Sequence, residues 1–303
     1  MKVGVQLPEV EYVARWPELR EMVRTAEEIG LDSIWVGDHL LYRDDGLPPR
    51  GPWEAWSMLA AIAAVTDRVE IGPLVAAASF HNPAVLAKKA ATVDEISGGR
   101  LVLGLGAGWN EAEYRAYGFP FDHRVSRFEE AFTIVRTLLR DGRCDFHGRY
   151  FQLDDCVLLP RGPRHDHGEG PPLMVGSMGE RMLSITLPHV QAWNAWFSWF
   201  GNTVEGYRSL RDTIDAACRA AGRDPADVAR TIALFVAFPD ARGRSMGDLK
   251  APDVKPIPGN PDILGAALRA FRAEGVAHVQ LVLDPITAES IAALAPALAQ
   301  LAS

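Results

Sequence analysis

The chain is predicted to be an α/β protein, a (β/α)8 TIM barrel with an insertion between strands four and five and a long loop before the last βα unit. Three observations predict it. Strand-like and helix-like patterns alternate eight times along 303 residues. The run 101–105 is apolar on both faces, as a buried parallel strand is. Glycine and polar residues gather after the strands, where a barrel of this kind places its function.

The elements follow in order. Residues 2–7 read as the first strand. Residues 17–29 have helical periodicity, with Pro17 in the first turn and Gly30 at the stop. Residues 32–37 are a second strand that ends in Asp38-His39, and 54–65 a helix rich in Ala, Leu and Met. Residues 69–76 are the third strand and 83–96 a helix, with Asn82 as N-cap before Pro83. After Gly98-Gly99 comes the fourth strand, 101–105, whose Gly104, Gly106 and Gly108 allow close approach to the backbone. Residues 127–139 form a helix, 172–175 the fifth strand, 180–187 a helix, 190–194 the sixth strand and 204–221 a long helix. Strands at 231–238 and 276–283, each followed by a helix, 261–274 and 288–301, complete the series. Segments 141–172, with a hairpin at 145–159, and 240–260 read as insertions within one domain spanning 1–303.

Composition narrows the class. The hydrophobic fraction is 48% and the net charge −8, with no basic block, which argues against a nucleic-acid partner. The N-terminus lacks a signal-peptide pattern and no apolar run is long enough to span a bilayer, so a cytoplasmic protein without a membrane partner is expected. Cys144, Cys156 and Cys218 are too few for a disulfide framework; Cys144 and Cys156 could pair, but a reduced state is expected. His165 and His167 sit in a glycine-rich loop, and two histidines there do not make a metal site.

The strand ends form a ring poor in charge and rich in small residues and indoles, which suits a planar, partly apolar ligand. His39 is the candidate acid or base, and Asp38 could orient it, stabilise its cation or cap the next loop. His81 either packs its loop or reaches the pocket. Gly176-Ser177-Met178-Gly179 precedes a helix and could hold a phosphate on its backbone N–H groups, with Arg181 adding charge or lying in solvent. The aromatic run 193–200, including Trp193 and Trp196, reads as a substrate wall or lid, or as a subunit interface.

Several stretches together resemble the luciferase-like monooxygenase superfamily, in particular its coenzyme F420-dependent oxidoreductases. They are residues 30–39, 81–88, 94–114, Gly118 and 124–130. The resemblance implies a barrel with a flavin or deazaflavin ring across the strand ends. It implies a non-prolyl cis peptide in the third strand beneath that ring, at Val75-Ala76 or Ala76-Ala77. It places Gly106, Ala107 and Gly108 along the ring, Asp38 and His39 beside it as an acid/base pair, and Gly176 to Gly179 at its phosphate. Trp109, with His81, Trp193 and Trp196, falls to the substrate pocket.

Two positions depart from the family's patterns. A sugar-phosphate dehydrogenase of this superfamily carries a glutamate where this chain has Trp109, so that substrate class is not expected. Many relatives have an acid where Gln191 stands. The expected chemistry is hydride transfer between F420 and a small organic molecule. The alternatives are an FMN-dependent monooxygenase served by a separate flavin reductase, and a flavin- or deazaflavin-binding protein without catalysis. A homodimer is the expected assembly.

Overall fold

A computed structural model describes residues 1–43, 46–164, 169–243 and 254–302. Its central sheet contains β1 (Lys2–Gln6), β2 (Ser33–Val36), β3 (Glu70–Pro73), β4 (Ala76–Ala77), β5 (Leu103–Gly106), β8 (Leu173–Val175), β9 (Ala192–Ala195), β10 (Ala229–Ala237), β11 (Ile257–Pro258) and β12 (Val276–Asp284). The hairpin β6 (Arg143–His147) and β7 (Gln152–Val157) forms a separate antiparallel pair. The order β3-β2-β1-β12-β10-β9-β8-β5-β4 closes on itself, because β3 and β4 are two halves of one barrel strand and Ile71 bridges to Leu101. Eight parallel barrel positions result, as the alternation predicts.

The third strand breaks at a non-prolyl cis peptide between Leu74 and Val75. That is one residue before the earlier of the two expected positions. Val36 O still accepts from Leu74 N at 2.8 Å, and the strand resumes at Ala76 against Leu105.

Helices α1 (Trp16–Glu28), α2 (Ala55–Val65), α3 (Pro83–Ser97), α4 (Glu111–Tyr117), α5 (Arg124–Asp141), α6 (Glu180–Thr186), α7 (Val204–Ala220), α8 (Pro261–Ala273), α9 (Ala288–Ala292) and α10 (Ala295–Ala302) surround the sheet. Their ends follow local chemistry. Asn82 accepts from Ala84 N and Val85 N ahead of Pro83, and Gly98 closes α3 at φ 66°. Three features escaped the sequence pattern: α4, the short β11, and the division of the final helix into α9 and α10.

The largest apolar cluster lies between sheet and helices and includes Leu59, Leu86, Phe128 and Leu268. A smaller cluster of Trp35, Leu74 and Met174 is flanked by Val75 and Trp196. Several buried polar side chains pair with one another within the barrel. Asn194 Nδ2 donates to Thr231 Oγ1 at 2.8 Å and to Gln280 Oε1 at 2.7 Å. Trp35 Nε1, which can only donate, occupies Ser33 Oγ at 2.7 Å. Ser33 Oγ also lies 2.6 Å from His278 Nε2. Burial depresses the His278 pKa to about 3, aided by Lys2 and the N-terminal amine, so this histidine is neutral.

Candidate active site

A cavity of about 530 Å3 opens where β2, the broken third strand, β5, β8 and β9 end. This is the C-terminal face of the barrel, where the sequence places the ring of candidate residues. His39, Val75, Gly106, Ala107, Gly108 and Trp109 line it on one side, and Gly176, Ser177, Met178 and Trp196 on the other.

Adjacent residues at the end of β2 take different partners. Asp38 Oδ2 accepts from Ala77 N at 2.9 Å and from His81 Nε2 at 3.0 Å. Asp38 therefore ties the second strand to the resumed third strand. It reaches the cavity wall, but it does not hydrogen-bond His39. His81 is accordingly a support for Asp38, and it faces a smaller neighbouring cavity with Phe80 and Phe119.

His39 pairs instead with Glu113, on the α4 helix that the sequence reading overlooked. Its Nδ1 lies 3.0 Å from Glu113 Oε2 and 3.2 Å from Oε1. Glu113 is fully buried and also accepts from Leu40 N and Leu41 N, at 2.6 and 3.1 Å. Three amide or imidazole donors thus hold one carboxylate, and that carboxylate fixes the loop carrying His39. The rings of Tyr42, at 4.9 Å, and Trp109, at 5.5 Å, flank the imidazole. Nε2 is the nitrogen left for the cavity. Burial pushes the His39 pKa down. The Glu113 hydrogen bond and the charges of Glu9, Glu113 and Asp38 outweigh it, so the pKa is raised above the ordinary histidine value.

Glu9 is a second carboxylate the sequence reading missed. It lies buried on the cavity wall, accepting from Gln6 Nε2 at 2.5 Å and Tyr42 Oη at 3.1 Å. A side chain at position 37 would collide with it, its Oε1 lying 1.7 Å from where a Cβ would stand; Gly37 makes the room.

The glycines of β5 have a more specific use than bare approach. A Cβ on Gly106 would stand 2.8 Å from Val75 Cγ2, and one on Gly104 would stand 2.9 Å from Val75 Cγ1 and 2.4 Å from Pro73 O. Gly176, just after β8, approaches the same valine. Val75 is therefore seated among three glycines and presents an apolar surface to the cavity. Gly108 makes room for Tyr114, whose hydroxyl donates to Ala107 O at 2.9 Å.

Three expectations shift. Ala76, next to Val75, is fully buried and does not line the cavity. Trp193 points out of the barrel into the sheet–helix core, its Nε1 donating to Ser177 O at 2.7 Å; alternation along β9 gives the inward position to Asn194. Its place in the aromatic wall is taken by Trp199, beside Trp196. The turn before α6 offers less to a phosphate than expected. Gly179 lies outside the cavity lining and its N–H is held by Ser177 Oγ at 3.3 Å, while Arg181 pairs with Glu129 at 2.7 Å.

The cavity's cation is Arg124, at the start of α5. It donates to Gly108 O at 2.6 Å and lies 4.3 Å from the Phe121 ring centre, with no carboxylate partner among the described residues. Among the described residues no cluster of three or more His, Cys, Asp or Glu could hold a metal ion, and no helix is long and apolar enough to cross a membrane. His165 and His167 lie outside the described residues.

Comparison with known proteins agrees with this geometry. The family model for luciferase-like monooxygenases matches residues 1–246. An F420-dependent glucose-6-phosphate dehydrogenase from Amycolatopsis mediterranei is 31% identical over 78% of this chain and 69% of its own length. The pyrimidine monooxygenase RutA from a Caulobacter strain is also 31% identical, over 71% of this chain and 60% of its own. The solved structure of an F420-dependent secondary alcohol dehydrogenase superposes with TM-score 0.79 at 20% identity, covering 99% of this chain and 98% of that one. The chain is an enzyme of the luciferase-like monooxygenase family.

Proposed function

We propose that this enzyme transfers a hydride between coenzyme F420 and a small organic substrate, with His39 moving the accompanying proton. The observation that carries the proposal is the His39–Glu113 pair at the mouth of an apolar cavity. The residues present fit a tricyclic ring. A cavity of about 530 Å3 is within the range of small-molecule sites, and its walls bring Val75, Ala107 and Met178 against a flat ligand. Arg124 is placed to receive an anionic group on the ligand's side chain. Bound F420 would supply the two-electron hydride chemistry.

The protein's own contribution is positional and electrostatic. Glu113 accepts at Nδ1 of His39, so Nε2 is the atom that holds or receives the transferred proton. A raised pKa favours the donor form more than in an ordinary histidine. Trp109, Trp196 and Trp199 give the cavity indole walls, which support an apolar substrate over a sugar phosphate. The similarity to the F420-dependent dehydrogenase supports the deazaflavin. The similarity to a pyrimidine monooxygenase favours a second reading, an FMN enzyme that uses oxygen. Parallel calorimetric titrations with F420 and FMN separate the two: F420 binds more tightly under the main reading, and selective FMN binding with coupled oxygen uptake replaces it by the second.

A further inference from the structure

A second concentration of charge lies at the other end of the barrel. A cavity of about 450 Å3 opens beside Leu173, the first residue of β8, and Gln191, just before β9. These are strand N-termini, remote from the ring that carries His39. Among the described residues the cavity is faced by Arg136, Arg140, Arg164, Arg223 and His189, against one acid, Glu169. In a chain of net charge −8 this is a local reversal of sign.

Two of these arginines are neutralised and, among the described residues, two are not. Arg140 pairs with Asp141 at 2.7 Å and Arg164 with Asp94 at 3.7 Å. Arg223 spends its N–H groups on the carbonyls of Leu187, Val190 and Asp227, which hold it in place, and it has no carboxylate partner among the described residues. Arg136 carries a buried Nε with no hydrogen-bond partner. The His189 ring rests 6.2 Å from Phe132 between centres, and its nitrogens make no hydrogen bond among the described residues. The cations sense one another. Burial and then Arg140 lower the Arg136 pKa, against the pull of Asp141. Burial, Arg136, Arg223 and Arg140 lower that of His189.

We propose that this cavity binds a phosphate group, free or as the monoester of a small organic molecule, with Arg136 and Arg223 meeting its oxygens and His189 adding a hydrogen bond. Guanidinium forks match phosphate oxygens in geometry as well as charge. A dianion here supplies the missing partner of Arg136 and relieves the repulsion among the cations. The volume leaves room for an organic remainder beside the phosphate. The site is independent of the function read from the His39 cavity.

Calorimetric titration of the whole protein with inorganic phosphate and with glycerol 3-phosphate, at constant ionic strength, tests it. Saturable binding of at least one probe at one site per chain is expected, and the tighter probe identifies the source of the phosphate. Arg136→Ala weakens that binding by about tenfold or more, and Arg136→Lys, which keeps the charge but loses the fork, falls between. The imidazole resonances of His189 shift with the same midpoint. At a hundred times Kd the ligand raises Tm by about 5 °C. Absence of saturable binding by both probes overturns the proposal, as does affinity unchanged in a normally folded Arg136→Ala protein.

Discussion

The two histidine–carboxylate pairs at the mouth of the barrel look alike and are built for different work. His39–Glu113 and His81–Asp38 each span 3.0 Å, and each carboxylate is buried. Glu113 leaves its histidine facing the large cavity; Asp38 uses its histidine and the Ala77 amide to join two strands. The difference lies in what else each carboxylate holds. Glu113 gathers the amides of a loop around the His39 ring, whereas Asp38 clamps the barrel wall beside the cavity.

Substitutions can break this division. His39→Ala is expected to have the largest effect, lowering turnover by about a hundredfold to ten-thousandfold while F420 affinity changes little. Turnover close to wild type on an identified substrate makes His39 structural. Asp38→Ala leaves the Ala77 amide and the His81 ring short of an acceptor inside the wall. A stability loss of about 3 kcal/mol is expected in denaturant titration, larger than that of His39→Ala; the reverse order would merge the two roles. Gly104→Ala tests the seat of Val75, since the new methyl meets Pro73 O at 2.4 Å. It should cost about 2 kcal/mol, and an unchanged Tm would show that the wall yields.

The smallest effect is a shift along the pH axis. Glu113→Gln keeps an acceptor for Leu40 and Leu41 but removes the charge that helps raise the His39 pKa. The pH limb assigned to His39 moves to lower pH, and an unmoved limb belongs to another group. The stability contribution has a definite sign. A raised folded pKa stabilises fully below the unfolded value, and the contribution is lost as pH rises through the folded value. His278 works the other way: with a folded pKa of about 3, its contribution is lost as pH falls below the ordinary histidine value toward 3. Stability curves of Glu113→Gln and wild type should therefore converge at high pH.

The barrel was legible because it is written locally. Apolar strand runs, Asn82-Pro83 and Gly98 give most elements within a residue or two of those observed, whereas α5 begins three residues before the expected 127. The site was legible only in part. Asp38 and His39 are neighbours in sequence, which invites pairing, but their partners come from β4 and α4, and Glu113 lies 74 residues away from His39. No spacing rule connects such residues. Trp193 was a different failure, because the signal existed: placing Asn194 inward obliges its neighbour to point out. Arg124 was visible as a residue but not as the cavity's cation, since that depends on where α5 begins.

The most direct measurement follows the imidazole resonances of His39 and His81 by NMR while F420 is added, each assigned by single substitution. The account predicts that His39 shifts with saturation and His81 stays in place. A shift confined to His81, or no movement of His39 at saturating F420, contradicts it.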